Sequence, residues 1–234
     1  SLYVKPEYIN LLTPNILNSF NNTVLSYETC EGEINNQTLI NLGFNKVKPS
    51  ILMNIKLNDY NKNIQVDKIK YNLENDYKLL KKVNSIYNSN IDKINITCQK
   101  VILKKDEELR CEIQNSIFSA TTRVPLEIQD IETDIEQDYY IENLSLFIKI
   151  NDIAIGYGQI IFNRDMYTVV NFGIIKEFRK YGFGKILLNQ LIFEAKENGI
   201  YELFIRVEEN NFNALKLYNW IGFRPKSIIN KWER

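Results

Sequence analysis

The 234-residue sequence contains no histidine. That absence removes Ser-His-Asp and Cys-His nucleophilic catalysis, imidazole general bases and histidine-ligated metals together. Acid–base chemistry is left to Tyr, Asp, Glu, Lys, Cys, water or the substrate's own groups. Cysteine is scarce: Cys30, Cys98 and Cys111 are odd in number and widely spaced, which argues against a disulfide framework. No CxxC pair occurs, so no metal site is expected and the three thiols read as free. No apolar run is long enough to span a bilayer, and no charged-then-apolar leader opens the chain; a soluble cytoplasmic protein is expected, with no membrane partner. The sequence also lacks net charge, with 29 basic against 29 acidic residues. No long-range field would draw the whole molecule to nucleic acid, and none is expected as a partner.

What is present is ordinary globular material, 44% hydrophobic and 25% charged, enough for a sizeable core. The polar stretches at residues 58–63 and 87–93 are candidate boundaries, and the chain is divided here into an N-terminal region, 1–93, and a C-terminal domain, 94–234. In the latter, 94–104 reads as a strand. Residues 106–118 read as a helix with Leu109, Ile113, Ile117 and Phe118 at helical spacing, and 126–140 as a second helix opened by Pro125. Strands at 144–150, 153–162 and 167–175 form an antiparallel meander. A strongly amphipathic helix follows over 182–198, buried along Leu187, Leu188, Leu191, Ile192 and Ala195 and stopped by Gly199. A strand at 202–207, a helix at 211–220 and a last strand from Ile228 complete an α+β pattern: a mixed, mostly antiparallel sheet flanked by helices, with one crossover helix joining a parallel pair.

The first 60 residues echo that ending. A strand at 23–28, a helix at 34–42, the pair Gly43-Phe44 and a strand at 51–57 parallel the run that closes on Gly222-Phe223, a partial internal repeat. Between them, residues 64–71 read as strand-like and 77–86 as a helix.

Two segments carry chemistry. Arg179-Lys180-Tyr181-Gly182-Phe183-Gly184 joins a strand to the long helix. Glycines at near-adjacent positions let backbone N–H groups approach a phosphate, and the helix adds its positive end. A glycine-eased tight turn explains the same residues. Lys185 is followed by Ile186, not Ser or Thr, so this is no Walker loop; three spaced glycines are missing, so it is no dinucleotide fingerprint. The second segment is Asn211-x-x-Ala214-x-x-Leu217-Tyr218-x-x-x-Gly222-Phe223, in which Tyr218 is either a core tyrosine or a functional one.

Together, the R-x-x-G-x-G loop and the N-x-x-A-x-x-L-Y-x-x-x-G-F element resemble the GNAT superfamily of acetyl-CoA-dependent N-acetyltransferases, over residues 94–234 and most strongly over 168–223. The resemblance implies that Phe172 and Ile174 offer backbone groups to the pantetheine arm, with Gly173 easing a bulge. It implies that Arg179, Lys180, Tyr181, Gly182, Phe183, Gly184 and Lys185 hold the pyrophosphate, that Asn211 touches the cofactor, and that Tyr218 protonates the departing thiolate. The positions where many relatives carry a Glu as general base read Thr168 and Arg206; Glu208 and Glu209 read as solvated loop acids or as bases acting through water. Acceptor choice is expected from 119–123 and 165–167. The acidic second helix (Glu127, Asp130, Glu132, Asp134, Glu136, Asp138) reads as a solvated face or as an attractor of cations. The expected function is acetyl transfer from acetyl-CoA to a primary amine of a small molecule or peptide; the alternative is an acetyl-CoA-binding regulatory module without turnover. The resemblance leaves homodimer formation open.

Overall fold

The computed structural model describes residues 6–20, 23–30, 36–58, 60, 64–119 and 124–234. In chain order the elements are α1 (Pro14–Asn18), β1 (Ser26–Cys30), α2 (Asn36–Asn41), β2 (Asn45–Lys46), β3 (Ser50–Lys56), α3 (Ile64–Glu74) and α4 (Tyr77–Tyr87). There follow β4 (Ile96–Lys100), α5 (Glu107–Phe118), α6 (Ile128–Ile135), β5 (Tyr140–Ile150), β6 (Ile153–Asn163) and β7 (Met166–Ile174). The chain ends with α7 (Phe183–Glu197), β8 (Glu202–Glu208), α8 (Phe212–Ile221) and β9 (Arg224–Glu233). These fall into two compact units, one made of residues 55–205 and the other of 1–54 with 206–234. The compact units are therefore bounded differently from a division at 93/94. The physical reason is that β9 pairs with strands of the first 54 residues.

In the larger unit, β4, β5, β6 and β7 form the antiparallel meander, each paired to the next. The β5–β6 turn uses Asn151 at φ +54°, and the β6–β7 turn uses Arg164 and Asp165 at φ +51° and +58°, the left-handed pair that a two-residue hairpin requires. β7 then pairs parallel with β8 at Thr168↔Phe204 and Val169↔Ile205, and α7 is the crossover between them. The buried face of α7 carries Leu187, Leu188, Leu191, Ile192 and Ala195, as its 3.6-residue spacing predicts, joined by Phe183 and Ile186. Gly199, at φ +75°, ends it.

Three elements differ from expectation. Residues 64–74 are helical, not strand-like: Val66 and Leu73 are buried two turns apart on one face. The second helix of the domain is short, ending at Ile135, and β5 begins at Tyr140. A turn intervenes there, and Tyr139 donates from its hydroxyl to Asp134 at 2.7 Å. In α5 the buried positions are Arg110, Cys111, Ile113, Gln114 and Ile117, so the inward face contains two polar side chains and leaves Leu109 and Phe118 half-buried.

In the smaller unit, β9 lies between β1 and β3, antiparallel to both, and β2 also pairs with it. Ile9, Leu17, Leu39, Leu42, Phe44 and Trp232 form its core. The two Gly-Phe pairs terminate α2 and α8 in the same way. Gly43 and Gly222 take φ +85° and +123°. Phe44 N–H donates to Leu39 O, and Phe223 N–H to Tyr218 O, each at 3.0 Å and each spanning five residues. That bond satisfies a carbonyl of the last helical turn, and the buried Phe anchors it.

Candidate active site

Most of the sequence-derived site lies in the larger unit, where β7 runs into α7. The ladder between β6 and β7 passes from Tyr157↔Gly173 to Gln159↔Val170, so β7 carries one extra residue at Asn171–Phe172. Asn171 takes φ +50°, which places the bulge at Asn171 and Phe172, one position earlier than a Gly173-centred distortion. Gly173 serves another need. A Cβ there would come within 2.3 Å of Ile117 Cγ2, so its missing side chain lets α5 approach the strand. On the opposite edge, the parallel ladder to β8 comprises Thr168 and Val169 only. That ladder ends at Val169, before the bulge.

A short 3₁₀ turn, Lys176–Phe178, follows β7 and consumes the Arg179 N–H, which donates to Lys176 O at 3.3 Å. Lys180 takes φ +69° and Gly182 φ +109°, two left-handed residues that swing the chain into α7. Among the described residues, the N–H groups of Lys180, Tyr181, Gly182, Phe183 and Gly184 donate to no protein acceptor, and the first backbone bond of the helix is Lys185 N–H to Gly182 O at 2.9 Å. Consecutive unpaired N–H groups in alternating hand, at a helix's positive end, form an anion cradle. The exposed Lys180 adds a positive side chain at this turn.

The cradle is held from below. Arg179 Nε donates to Ile174 O at 2.8 Å and Nη2 to Ile117 O at 2.7 Å, so this guanidinium joins the end of β7 to the last turn of α5. Phe183 is fully buried, edge-on to Phe178 at 6.1 Å, and reaches the cradle through its backbone alone. Lys82 of α4 donates to Glu177 O at 2.5 Å and to the Tyr181 hydroxyl at 3.3 Å, with its ammonium 4.8 Å from that ring's centre. Sequence reasoning missed this strut because α4 lies about a hundred residues earlier.

Beside the bulge, a cavity of about 400 Å³ is lined by Arg110, Gln114, Asp130, Asp134, Tyr139 and Asn171, among others. Arg110 Nη2 is bonded to Asp134 and, at 2.9 Å, to Gln159 Oε1. Gln159 Oε1 also accepts from Tyr157 at 2.8 Å and Asn171 Nδ2 at 3.4 Å. Burial pushes the Tyr139 phenol up to about 12, helped by its bond to the Asp134 carboxylate. Of the acids on the second helix, Asp130 accepts from the Glu127 N–H at 2.8 Å as part of a capping box, and Asp134 engages Arg110; Glu132, Glu136 and Asp138 face solvent. Of the expected acceptor loop 119–123, residues 120–123 lie outside the described residues.

The remaining predicted residues belong to the smaller unit. Asn211 caps α8, its Oδ1 accepting from Ala214 N–H at 3.2 Å. Tyr218 is 6% exposed, and burial raises its phenol well above the ordinary value. Arg206 donates to Ser50 Oγ at 2.5 Å and pairs with Glu28 at 2.7 Å, while Glu208 and Glu209 are exposed.

Residues 112–223 match the model of the Acetyltransferase (GNAT) family. A [Ribosomal protein bS18]-alanine N-acetyltransferase of Haemophilus influenzae is 38% identical over 85 residues, 36% of this chain and 58% of that protein. The Salmonella typhimurium protein of the same name is 33% identical over 64 residues, 27% of this chain and 43% of that one. The chain thus spans only about half the length of these relatives. Among solved structures, a GCN5-related N-acetyltransferase from Sphaerobacter thermophilus superposes with a TM-score of 0.64 at 14% identity, over 91% of this chain and 59% of that one. One from Kribbella flavida gives 0.61 at 14% identity, over 98% and 76%. At such identity the likeness establishes the fold.

Proposed function

We propose, from the match of residues 112–223 to the GNAT acetyltransferase family, that the protein is a member of it and transfers an acetyl group from acetyl-CoA to a primary amine. The observation that carries this reading is the run of unpaired N–H groups from Lys180 to Gly184, following a strand whose ladder with β8 ends at Val169. The first suits a pyrophosphate and the second an extended pantetheine arm with amide groups. When bound, acetyl-CoA supplies an acyl group already activated as a thioester. Phe172 and Ile174 orient it through backbone bonds, and Lys180 and Lys185 add positive charge beside the pyrophosphate.

The neutral amine attacks the thioester carbonyl; the C–N bond forms and the C–S bond breaks, so no protein nucleophile is needed. Holding both reactants together removes roughly 7–11 kcal/mol of entropic barrier in the ideal case. A backbone N–H at the bulge stabilises the oxyanion. The family resemblance assigns Tyr218 to the departing sulfur. Because burial raises its pKa, and an ordinary thiol ionises near about 8.5, the phenol donates a hydrogen bond to the thiolate and solvent delivers the proton. The amine's own proton goes to water, since the positions of the usual Glu are Thr168 and Arg206. The relatives' names make an amine on a protein one acceptor class to try first. We read residues 1–93 as containing a partial, degenerate copy of the family's C-terminal strand–helix–strand segment, on the matching Gly-Phe caps.

Calorimetric titration with acetyl-CoA tests this. Saturable binding that Gly184→Asp abolishes is expected, because the new carboxylate would enter the anion cradle. A folded wild-type protein that binds no acetyl-CoA at millimolar concentration would overturn the reading.

A further inference from the structure

Asn171 stands at the β7 bulge and lines the cavity beside it. Its left-handed φ of +50° calls for a residue that tolerates that region, and glycine would serve as well. What φ does not account for is the fixed direction of the carboxamide. Arg110 can only donate, and its Nη2 bonds Gln159 Oε1 at 2.9 Å, which settles which end of the Gln159 amide is oxygen. The Tyr157 hydroxyl donates to the same oxygen at 2.8 Å, and Gln159 Nε2 donates to Asp134 at 3.3 Å. Asn171 meets that oxygen at 3.4 Å and so presents its nitrogen to it. Asn171 Oδ1 is thereby turned away from Gln159. It accepts from no group among the described residues, and, unlike Arg110 Nε and Nη1, it is not sealed from solvent.

An accessible amide oxygen is thus carried by the bulge itself, where the reading above holds the thioester carbonyl. We propose that Asn171 Oδ1 accepts an N–H of the attacking amine and aims the nitrogen lone pair at the thioester carbon, which makes Asn171 a catalytic residue. This rests on the acetyltransferase reading and adds a residue to that site. As the C–N bond forms, the nitrogen gives up its lone pair and becomes cationic. Its N–H becomes a stronger donor, so the bond to Asn171 tightens in the transition state. The C–S bond then breaks with its electron pair on sulfur, and the extra proton on nitrogen passes to water. The charged residues lining the described wall are Asp130, Asp134 and Arg110, so that wall does not oppose the developing positive charge.

The test uses the full chain, with ethylamine as the probe, a small molecule for a cavity of about 400 Å³. Acetyl-CoA binding is measured first by calorimetry, and its absence would count against the transferase reading itself. With binding established, release of the CoA thiol is followed for wild type, Asn171→Gly and Asn171→Asp. Glycine keeps the backbone at φ +50° and removes only the amide; aspartate tolerates the same φ and keeps an acceptor oxygen. Asn171→Gly should lower kcat about tenfold, the step between an ordinary and a charge-assisted hydrogen bond. Its KM for ethylamine and its Kd for acetyl-CoA should stay within about twofold of wild type, because the bond matters most in the transition state. Asn171→Asp should keep kcat within about threefold of wild type. Wild-type kcat in Asn171→Gly would overturn the proposal, because Asn171 would then serve the turn alone. So would an equal loss in both variants, or a loss matched by weaker acetyl-CoA binding, since either would trace the effect to the shape of the bulge. No ethylamine turnover by wild-type protein that binds acetyl-CoA would overturn it too, because the cavity would not deliver an amine to Asn171.

Discussion

Gly182→Ala isolates the backbone geometry on which the anion cradle depends. Gly182 sits at φ +109° and ψ −1°, and a Cβ there would stand 2.9 Å from Ile69 Cγ2. A left-handed conformation costs an L-residue about 1–2 kcal/mol, and the overlap with Ile69 brings the sum to about 2–3 kcal/mol, within the usual range for such strain. The chain can respond in two ways. If the turn keeps its shape, the cost appears as stability, lowering Tm by about 4–10 °C. If the turn relaxes, Lys180–Gly184 lose their common direction, and the same energy appears as a roughly 30- to 150-fold weaker Kd for acetyl-CoA. Calorimetry and thermal denaturation on the same samples separate the two. Gly199→Ala is the control, because Gly199 is also left-handed, at φ +75°, but has nothing within 4 Å of the added carbon. It lies at the far end of α7, roughly 22 Å from the cradle. It should cost about 1–2 kcal/mol of stability and leave acetyl-CoA affinity intact. The reasoning is refuted if Gly182→Ala keeps wild-type Tm and wild-type affinity, or if Gly199→Ala weakens acetyl-CoA binding equally.

Arg179→Lys should raise KM for acetyl-CoA about tenfold with little change in kcat, since one ammonium cannot serve both Ile174 O and Ile117 O, and losing a charged hydrogen bond costs about 1.5–3 kcal/mol. A loss confined to kcat in steady-state assays would contradict that supporting role. Tyr218→Phe should lower kcat about 10- to 100-fold, and no alkaline limb of the wild-type pH–rate profile should follow Tyr218 ionisation, because burial keeps the phenol protonated. Unchanged kcat at all pH values would remove Tyr218 from the mechanism. Stability should decline at high pH: burial pushes Tyr60, Tyr139 and Cys98 each up to about 12. Their contribution is fully present below the unfolded values and is lost as pH rises towards 12, because the unfolded chain sheds these protons first. Denaturation midpoints measured from pH 8 to 11.5 should fall, and Tyr60→Phe, which removes the hydroxyl bonded to Asn189 at 2.7 Å, should flatten part of the slope; a flat wild-type profile would count against the burial argument.

The strand–loop–helix of the cradle was legible in sequence because its constraints are local: glycines at forced dihedrals, a meander punctuated by Asn and Asp turns, and an apolar stripe of unambiguous period. Residues 64–71 misled because their apolar positions fit both periods, and only the packing of Val66 and Leu73 decides for a helix. The polar wall of the cavity beside the bulge was not legible for a different reason. Arg110, Asp134, Gln159 and Asn171 come from four separate elements, and nothing in the spacing of α5 announces that Arg110 and Gln114 face inward. The only local sign was negative: a helix whose apolar residues at Leu109 and Phe118 end half-buried while polar ones take their place. Arg179 shows the same limit, since the motif predicts its presence but not that its guanidinium serves two backbone carbonyls.

The position of β9 between β1 and β3 sets the order in which the protein can be made. Synthesis runs from the N-terminus, and domains fold as units as they emerge. The first 54 residues leave the ribosome early, but the strand that fills the middle of their sheet is translated only after all of residues 55–205. The larger unit can close while β1 and β3 still wait with bare edges, and such edges invite pairing with other chains. The strands β1 and β3 thus wait for a partner translated much later, so expression yield should respond more to substitutions in β1, β3 and β9 than to equally buried changes in the meander.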